Sequence, residues 1–409
     1  MKKVKNIVFY SQHINIRSGG PSGYIANLLK GMTLIDYDYG SSSVVFINRD
    51  SVKQKFNLYK IIKGITSLIP SRILRKKVRS WFGKNIYSLN EYNTQCNSCY
   101  YSDFIPVLNS YDFETIICHW VKDALFIKNY LNKTNKNAKI ILMSHSPQPP
   151  SQEVYDAERL DNNPDAEMNY FKWQKIEKDA FENAADIILF PTKESIEPYS
   201  SVLEYFYEVE KNKCFLFLPT GCCQLELDKN CVDFRKKYNI TTPYIISYIG
   251  RHNKIKGYDL LKDIALKVLS ERDDVTFVIG GKLSSDIQPL NHPRWIELGF
   301  VNPPDVLSIS DCFVLPNRQT YFDLVLLEVM SMGIPVFASA TGGNKSVYNA
   351  TKAITLYTEI DECVEKINSY LDADIDIKEQ MKNKTLQAYK DNYTLEIFAK
   401  NYVALIESL

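Results

Sequence analysis

Short apolar runs alternate with amphipathic helical patterns along most of the chain. The runs have the character of buried strands, and several of them are separated by apolar residues at helical spacing. This alternation predicts a parallel α/β architecture. The predicted strands are Asn6–Tyr10, Ser43–Ile47, Thr115–Cys118, Lys139–Ser144, Ile187–Pro191, Phe215–Leu218, Tyr244–Ile249, Val275–Ile279, Trp295–Leu298, Phe313–Leu315 and Pro335–Ala338.

Helical patterns fill several of the gaps between these strands. Helices are predicted over Tyr24–Met32, Tyr258–Ser270 and Glu359–Asp372. The C-terminal segment repeats apolar residues at helical spacing between Leu395 and Ile406, which predicts a final helix.

The length of the chain predicts two domains. A chain of 409 residues is long for a single core. The polar segment at about 224–230 is the best linker, so we predict domains at 1–225 and 231–388, followed by a terminal helix at 389–409.

Composition and charge exclude some functions. Charged residues make up 24% of the chain and the formal net charge is +1, so nucleic-acid binding through global charge is not indicated. The nine cysteines show no regular pairing, which favours free thiols in a reducing compartment over a zinc site at Cys96 and Cys99. No apolar run approaches the ~20 residues that a membrane-spanning helix needs, and no signal peptide opens the chain. We therefore expect a cytoplasmic protein.

The stretch from Ser310 to Gly343 carries the strongest chemical signal. An apolar strand ends at Pro316, a polar loop follows, and a helix with Glu328 in its first turns leads to the next strand. In doubly wound sheets, ligands bind outside the carboxyl ends of the strands. Free N–H groups at the helix start favour a phosphate or a sugar hydroxyl, and Glu328 can accept hydrogen bonds from two hydroxyls.

Two cations follow another predicted strand. Arg251 and Lys256 lie five residues apart on the loop after Tyr244–Ile249. Fixed cations can stabilise the negative charge of a diphosphate leaving group without a metal ion. The alternative is a solvated basic turn, but the position between this strand and the later stretch favours phosphate binding.

These residues together resemble the retaining glycosyltransferases of the GT-B fold, family 4. The family pattern has two glutamates eight residues apart, then a small-residue helix end, Pro-Val and a Gly-Gly turn. Glu328 matches the second glutamate, whereas Thr320 stands at the position of the first. Asp323 follows Phe322 where the family usually has glycine, and Ser346 stands where a glutamate often follows the Gly-Gly pair. Arg251 and Lys256 match the paired cations of the family.

The resemblance implies a site as well as a fold. The fold would consist of two Rossmann-like doubly wound domains facing a central cleft, the first binding the acceptor and the second the nucleotide sugar, with the C-terminal helix crossing back to the first domain. The implied catalytic residues are Arg251, Lys256 and His145; the implied donor-binding residues are Gly20, Val301, Thr320, Phe322, Asp323, Leu324, Val325 and Glu328; the acceptor-side candidates are Arg17, His119 and Gln148.

Two histidines compete for the role facing the donor sugar. His145 and His119 both follow apolar strands, and a histidine at a strand end is as often structural as functional. His145 is favoured because the proline-rich loop beside it can shape an acceptor cleft. In the same half, Gly20 belongs to a glycine loop after the first strand, which an ordinary strand-to-helix turn explains equally well.

A basic segment interrupts the first half of the chain. Residues 49–90 contain eleven Lys and Arg residues against one acid, Asp50. An amphipathic helix within 71–84 suits an anionic membrane surface, and a solvated helix on its own sheet is the equal alternative.

The resemblance implies a metal-independent transferase that uses no cofactor and keeps the anomeric configuration. Its donor would be a nucleoside-diphosphate sugar, with UDP favoured over GDP, and its acceptor a saccharide or a lipid-linked molecule. Composition and the basic segment, rather than the resemblance, favour the assembly of a cell-surface glycan such as capsule or O-antigen. Two alternatives remain open: a GT-B subunit that has lost catalysis and binds another transferase, and a phosphorylase or sucrose-synthase-like enzyme.

Overall fold

The computed structural model describes residues 1–14, 20–37, 44–52, 99–226, 231–283 and 287–409. The chain divides into two compact units, the first within 1–14, 39–143 and 179–187, and the second within 15–38, 144–178 and 188–409. The domain boundaries predicted from the sequence stay predictions. The amphipathic helix predicted within 71–84, Arg17 and Cys96 lie outside the described residues.

Twelve strands in the described part of the chain form two six-stranded sheets. The first sheet has the order β2-β1-β3-β4-β5-β6 and the second the order β12-β11-β10-β7-β8-β9. The strand pairs whose register is defined are all parallel. The strands are β1 Lys2–Tyr10, β2 Val44–Asn48, β3 Tyr111–Cys118, β4 Lys139–Met143, β5 Ile187–Phe190, β6 Cys214–Phe217, β7 Tyr244–Ile249, β8 Val275–Gly280, β9 Trp295–Gly299, β10 Cys312–Leu315, β11 Val336–Ser339 and β12 Thr355–Tyr357.

Sixteen α-helices are described. They are α1 Gly20–Leu34, α2 Cys99–Ser102, α3 Ile105–Asn109, α4 Val121–Thr134, α5 Pro150–Leu160, α6 Ala166–Asp179, α7 Glu197–Ser200, α8 Phe206–Asn212, α9 Cys231–Lys237, α10 Tyr258–Glu271, α11 Pro303–Leu307, α12 Leu324–Ser331, α13 Gly342–Thr351, α14 Ile360–Asp372, α15 Ile375–Asn392 and α16 Leu395–Ser408. Among them, no helix combines the length and apolar composition needed to cross a membrane.

Apolar side chains bury the faces of each sheet. In the first unit, the Phe9 ring of β1 packs at 5.1 Å from Phe104 and 5.9 Å from Phe126. In the second unit, Phe277 of β8 and Val314 of β10 belong to one buried cluster with Ile264 of α10. Burial of such side chains contributes roughly 1.5–3 kcal/mol each, so these clusters hold the sheets against their helices.

The predicted parallel α/β fold is confirmed, with differences at the strand ends. Strand β1 begins at Lys2 and β3 at Tyr111, because the polar residues ahead of each apolar run pair with each other, Lys2 with Tyr111. The three-residue strand β12 was not predicted, since so short a run carries little pattern.

The final helix packs on the first helix of the second unit. Gly31 of α1 lies against Leu395 and Ala399 of α16, and a Cβ at Gly31 would overlap the carbonyl oxygen of Leu395. Glycine therefore permits the close approach of the two helices.

Candidate active site

A cavity lies at the carboxyl ends of β7 and β10 in the second unit. The chain leaves β7 toward β8 on one side, whereas β10 and β11 lie on the other, so the strand order reverses between β7 and β10. Such a reversal is where doubly wound sheets bind ligands. The cavity has a volume of about 390 Å³ and is lined by Tyr248, Ile249, Gly250, Lys256, Leu315, Asn317, Asp323, Val325 and Glu328.

Lys256 and Asp323 form an ion pair in this cavity. The Lys256 Nζ lies 2.5 Å from Asp323 Oδ1, and each side chain is 14% exposed. The Asn317 Nδ2 donates to the other carboxylate oxygen, Oδ2. Asn317 is 1% exposed, and its own Oδ1 has no hydrogen-bond partner among the described residues. The structure thus brings the predicted Lys256 and Asp323 together and adds Asn317, the first polar residue after β10.

The first turn of α12 opens on the same cavity. Asp323 stands at the N-cap with φ −75° and ψ 121°, but its carboxylate accepts no hydrogen bond from the helix backbone. An N-cap aspartate usually accepts from the second or third amide of the helix. Here the carboxylate is engaged by Lys256 and Asn317 instead, so the first-turn amides lack a side-chain cap. Such amides favour an anion.

Glu328 lies one turn further along α12 and lines the cavity. Burial raises the pKa of its carboxyl to about 7, and no hydrogen bond from the described residues offsets that shift. A carboxylate that lacks donors in a half-buried position can accept hydrogen bonds from a ligand. The predicted role of Glu328 as an acceptor for two hydroxyls is compatible with this position.

Close packing and buried contacts hold the loop that carries both predicted cations, Arg251 and Lys256. Gly257 has φ +67°, and a Cβ there would overlap the carbonyl oxygen of Pro316. His252 is fully buried, with its Nδ1 3.0 Å from Glu297 Oε1 and its ring 4.3 Å from that of Tyr258. Burial lowers the pKa of His252, and Glu297 opposes that shift. Glu297 also accepts from the Tyr258 hydroxyl at 2.9 Å. The sequence does not reveal these contacts, because Glu297 lies 39 positions from Tyr258 and further still from His252.

Arg251 lies beside the cavity rather than in its wall. Its side chain is 60% exposed, and one guanidinium nitrogen is 3.9 Å from Glu153 Oε1 of α5. The carbonyl oxygen of Arg251 accepts from the Tyr248 hydroxyl at 3.1 Å, which ties the backbone of this residue to the cavity wall. Of the two predicted cations, Lys256 is the one that lines the cavity.

Thr320 is fully buried and does not line the cavity. Its hydroxyl has no hydrogen-bond partner among the described residues, and its carbonyl oxygen accepts from the Gly343 amide at 3.4 Å. Gly342 has φ +38°, and a Cβ there would overlap the Thr320 carbonyl oxygen. The turn at Gly342 and Gly343 therefore packs against the backbone of Thr320. Thr320 lies in the loop at 316–323 that joins β10 to α12, which we call the signature loop.

The other predicted donor-side residues occupy different surroundings. Phe322 is 9% exposed and packs 6.1 Å from the Tyr393 ring. Leu324 and Val325 begin α12, and Val325 reaches the cavity. Val301 packs into the cluster around Val278, while its neighbour Phe300 is 94% exposed.

His145, predicted as catalytic, and the predicted acceptor-side residues Gln148 and His119 occupy different surroundings. The His145 ring lies 4.8 Å from Tyr24 and 6.4 Å from Tyr321, which follows Thr320 in the signature loop. Gln148 is buried, and its Nε2 donates to Asp156 Oδ2 at 3.1 Å. His119 of the first unit is 1% exposed, and burial lowers its pKa to about 3.

Gly20 is the first residue of α1, with φ +67°. A Cβ there would meet no other atom within 4 Å, so the space beside it is open. The positive φ explains why glycine suits this strand-to-helix connection.

Helix α13 follows the neighbouring strand β11, and the Glu197 carboxylate of the same unit contacts its first residue. Glu197 Oε2 accepts from the Gly342 amide at 3.1 Å, and Glu197 Oε1 pairs with Lys345. Ser346 donates to Glu194 Oε2 at 2.7 Å. The start of this helix is therefore closed by side chains of the same unit.

A second cavity, of about 460 Å³, lies between α10 and α14. Four carboxylates, from Glu271, Asp361, Glu365 and Asp372, line it. Like charges repel a diphosphate, so the cavity at β7 and β10 is the better candidate for an anionic ligand.

Comparisons with known proteins match the part of the chain that contains this cavity. The family model described as glycosyl transferases group 1 matches residues 243–373, which include β7, the cation loop and α12. The chain is similar to spore coat protein SA of Bacillus subtilis, with 24% identity over 195 residues, 43% of this chain and 52% of that protein. It is also similar to α-D-kanosaminyltransferase of Streptomyces kanamyceticus, with 26% identity over 175 residues, 40% of this chain and 45% of that protein.

These matches span about half the length of the curated relatives. The fold likeness extends further. Anabaena HepE in complex with UDP-glucose superposes with a TM-score of 0.62 at 13% identity, covering 99% of this chain and 100% of that one. The chain therefore has the GT-B fold, and its residues 243–373 match the model of the glycosyl transferases group 1 family.

Proposed function

We propose that this chain transfers a sugar from a nucleoside-diphosphate donor to a hydroxyl of a saccharide or lipid-linked acceptor, with retention of the anomeric configuration. The observation that carries the proposal is the cavity at β7 and β10. It combines a lysine, an uncapped helix start and a half-buried glutamate that lacks hydrogen-bond donors from the described residues. These are the groups that a diphosphate and a ribose require.

Each group has a distinct role in the proposed reaction. Lys256 and the first-turn amides of α12 hold the diphosphate, and Arg251 adds positive charge at the rim. Glu328 accepts hydrogen bonds from the two ribose hydroxyls. Those donors favour the charged carboxylate, so donor binding lowers the raised pKa of Glu328 and releases a proton near pH 7.

The proposed chemical step needs no side-chain nucleophile. The bond from the anomeric carbon to the diphosphate oxygen breaks, and the acceptor oxygen bonds to the same face of that carbon. The acceptor proton moves to the departing phosphate oxygen. The chain contributes positioning and charge stabilisation, with Lys256 and Arg251 taking the place that a metal ion has in other transferases.

UDP is the proposed nucleotide, and a cell-surface glycan is the proposed product. The first is supported by the likeness to HepE, which was solved with UDP-glucose, and the second by the likeness to a spore coat protein. His145 is proposed to face the donor sugar, which its distance of 6.4 Å from the Tyr321 ring of the signature loop supports. No cofactor is proposed.

A ligand panel tests the proposal. Binding to the native state raises the melting temperature, so UDP should stabilise the wild-type chain more than UMP, because only UDP carries the phosphate that Lys256 binds. GDP and ADP measure the choice of base. UDP-sugars are then tested for hydrolysis and transfer, with the product configuration read by NMR.

The outcomes separate the alternatives. If no nucleoside diphosphate shifts the melting temperature, the proposal is wrong. If UDP binds but no donor is hydrolysed or transferred, the chain acts instead as a non-catalytic GT-B subunit. An inverted product would contradict retention alone.

A further inference from the structure

The ion pair between Lys256 and Asp323 makes the cavity less positive than Lys256 alone would make it. Asp323 could cap α12 but does not, and its two oxygens are instead held by Lys256 and Asn317. Two donors from different loops therefore fix the carboxylate in the cavity wall. Both charged side chains are 14% exposed, so solvent screens them weakly.

A diphosphate bound at the start of α12 would meet both members of this pair. Lys256 would attract it and Asp323 would repel it, because both side chains line the same cavity. The pair as a whole is neutral. The attraction of this site for an anion is therefore weaker than that of an unpaired lysine beside an uncapped helix.

The repulsion acts unequally on the donor and on the product. A nucleoside diphosphate has a terminal phosphate whose second ionisation lies near pH 6, whereas in a nucleotide sugar that oxygen is esterified. The free nucleotide thus carries about one more negative charge at neutral pH. A fixed carboxylate beside the β-phosphate position disfavours the product more than the donor.

We infer that Asp323 is an internal counter-ion that weakens the binding of the nucleoside diphosphate product relative to the nucleotide-sugar donor. The inference rests on the proposed function, since it takes the cavity as the nucleotide site. In this role Asp323 acts through Lys256 and through its own charge, and it forms no bond with the reacting atoms.

The test compares the binding of UDP, UDP-glucose and UMP in the wild-type chain and in Asp323→Asn by titration calorimetry, and UDP-glucose, whose β-phosphate carries about one charge fewer, should gain less affinity than UDP. The asparagine keeps the shape and removes the charge. A charge within a few ångströms typically shifts a charged equilibrium by a factor of ten or more, so we expect UDP to bind about tenfold more tightly to the variant. UMP, which lacks the β-phosphate, should change about twofold or less. The gain for UDP should shrink as salt is added.

Asp361→Asn is the matched control, since Asp361 also pairs with a lysine, Lys267, but lies outside the cavity. Asp323→Gly is a second charge-removing variant, because glycine is accepted at an N-cap. Unfolding curves establish that each variant is folded.

Two failures can be told apart. If the wild-type chain binds UDP and neither folded Asp323 variant gains more affinity for UDP than for UDP-glucose, the inference is wrong and the proposed function stands. If the wild-type chain and the variants bind none of UDP, GDP and ADP, the proposed function is contradicted, and the inference with it.

Discussion

Helices α12 and α13 begin after neighbouring strands of one sheet, yet their first turns are treated in opposite ways. At α13, the Glu197 carboxylate accepts from the Gly342 amide and pairs with Lys345. At α12, the Asp323 carboxylate does not cap the helix amides and pairs instead with Lys256 in the cavity wall. A carboxylate lies at the start of each helix, but only the Glu197 carboxylate accepts a hydrogen bond from an amide of its helix.

Under the proposed function, this difference separates a helix start with a structural role from one that binds the nucleotide. A helix start that is already capped by a carboxylate has no need of an external anion. An uncapped start beside a lysine and a donor-free glutamate, Glu328, is stabilised further when an anion binds. The sequence pattern around a helix start, whether glycine-rich or acidic, does not distinguish a capped start from an uncapped one. The distinction depends on whether the nearby carboxylate binds a helix amide, as Glu197 does, or a lysine elsewhere, as Asp323 does.

The largest expected effect is at the open helix start. Lys256→Ala should cost roughly 2–4 kcal/mol of transition-state stabilisation, by analogy with the loss of a fixed oxyanion donor. Arg251→Ala should cost less, because the Arg251 side chain is 60% exposed at the cavity rim. The measurement is kcat/KM for donor hydrolysis or transfer.

Lys267→Ala serves as the control for removing a lysine from a Lys–Asp pair, since Lys267 pairs with Asp361 away from the cavity. Wild-type turnover in folded Lys256→Ala would refute the role of this lysine.

Glu328→Gln should weaken the nucleotide site while stabilising the fold. Losing a charged acceptor for ribose hydroxyls should cost about 1.5–3 kcal/mol of UDP binding. Because burial raises the folded pKa from 4.5 to about 7, wild-type stability falls as pH rises through that interval. The variant lacks this fall, so its unfolding free energy at pH 8 should exceed that of the wild type by about 2–3 kcal/mol, and by little at pH 4.

Glu177→Gln is the matched control for that experiment. Burial also raises the pKa of Glu177 to about 7, but this carboxylate accepts from the Ser151 amide at 3.0 Å and does not line the cavity. It should alter the pH dependence of unfolding and leave UDP binding unchanged. Equal pH slopes in wild type and Glu328→Gln would contradict the raised pKa of Glu328.

At the closed helix start, Glu197→Gln should cost only stability. Loss of the charged contact to the Gly342 amide and to Lys345 should lower the unfolding free energy by about 1 kcal/mol, because both side chains are a third or more exposed. UDP affinity should be unchanged in calorimetry. A tenfold loss of UDP affinity in the folded variant would mean that α13 also belongs to the nucleotide site.

The smallest expected effect is that of metal removal. If Lys256, Arg251 and the α12 amides carry the leaving-group charge, turnover should persist in excess EDTA. The assay is donor turnover with and without chelator. Complete loss of activity that added magnesium or manganese restores would show that a metal shares this role.

Residues close in sequence to a strand end could be predicted as site residues. Lys256 and Glu328 were identified from their positions after apolar runs, Val325 was implied by the family resemblance, and all three line the cavity. Asn317 follows the same strand as Glu328 and was missed, although its position directly after Pro316 carried the signal. His252 and Glu297 could not be paired in advance, because His252 lies on the loop after β7 and Glu297 lies in β9, and no local pattern relates them.

Thr320 shows the converse limit. Its position eight residues before Glu328 predicted a contact with the donor sugar, but the structure places the side chain fully buried behind the cavity wall. Spacing along a loop does not determine which side chains face outward when the loop packs against a neighbouring turn, here the one at Gly342 and Gly343.

The sequence by itself determined the alternation of strands and helices and the presence of a lysine and a glutamate at the carboxyl end of one sheet, because hydrophobic periodicity is local. Only the tertiary structure decided which charges meet. Lys256 and Asp323 are 67 positions apart, and Glu197 and Gly342 are 145 apart. The energy of an ion pair depends on distance and burial in space, so the Glu197 carboxylate caps α13, whereas the Asp323 carboxylate pairs with Lys256 and leaves α12 without a side-chain cap.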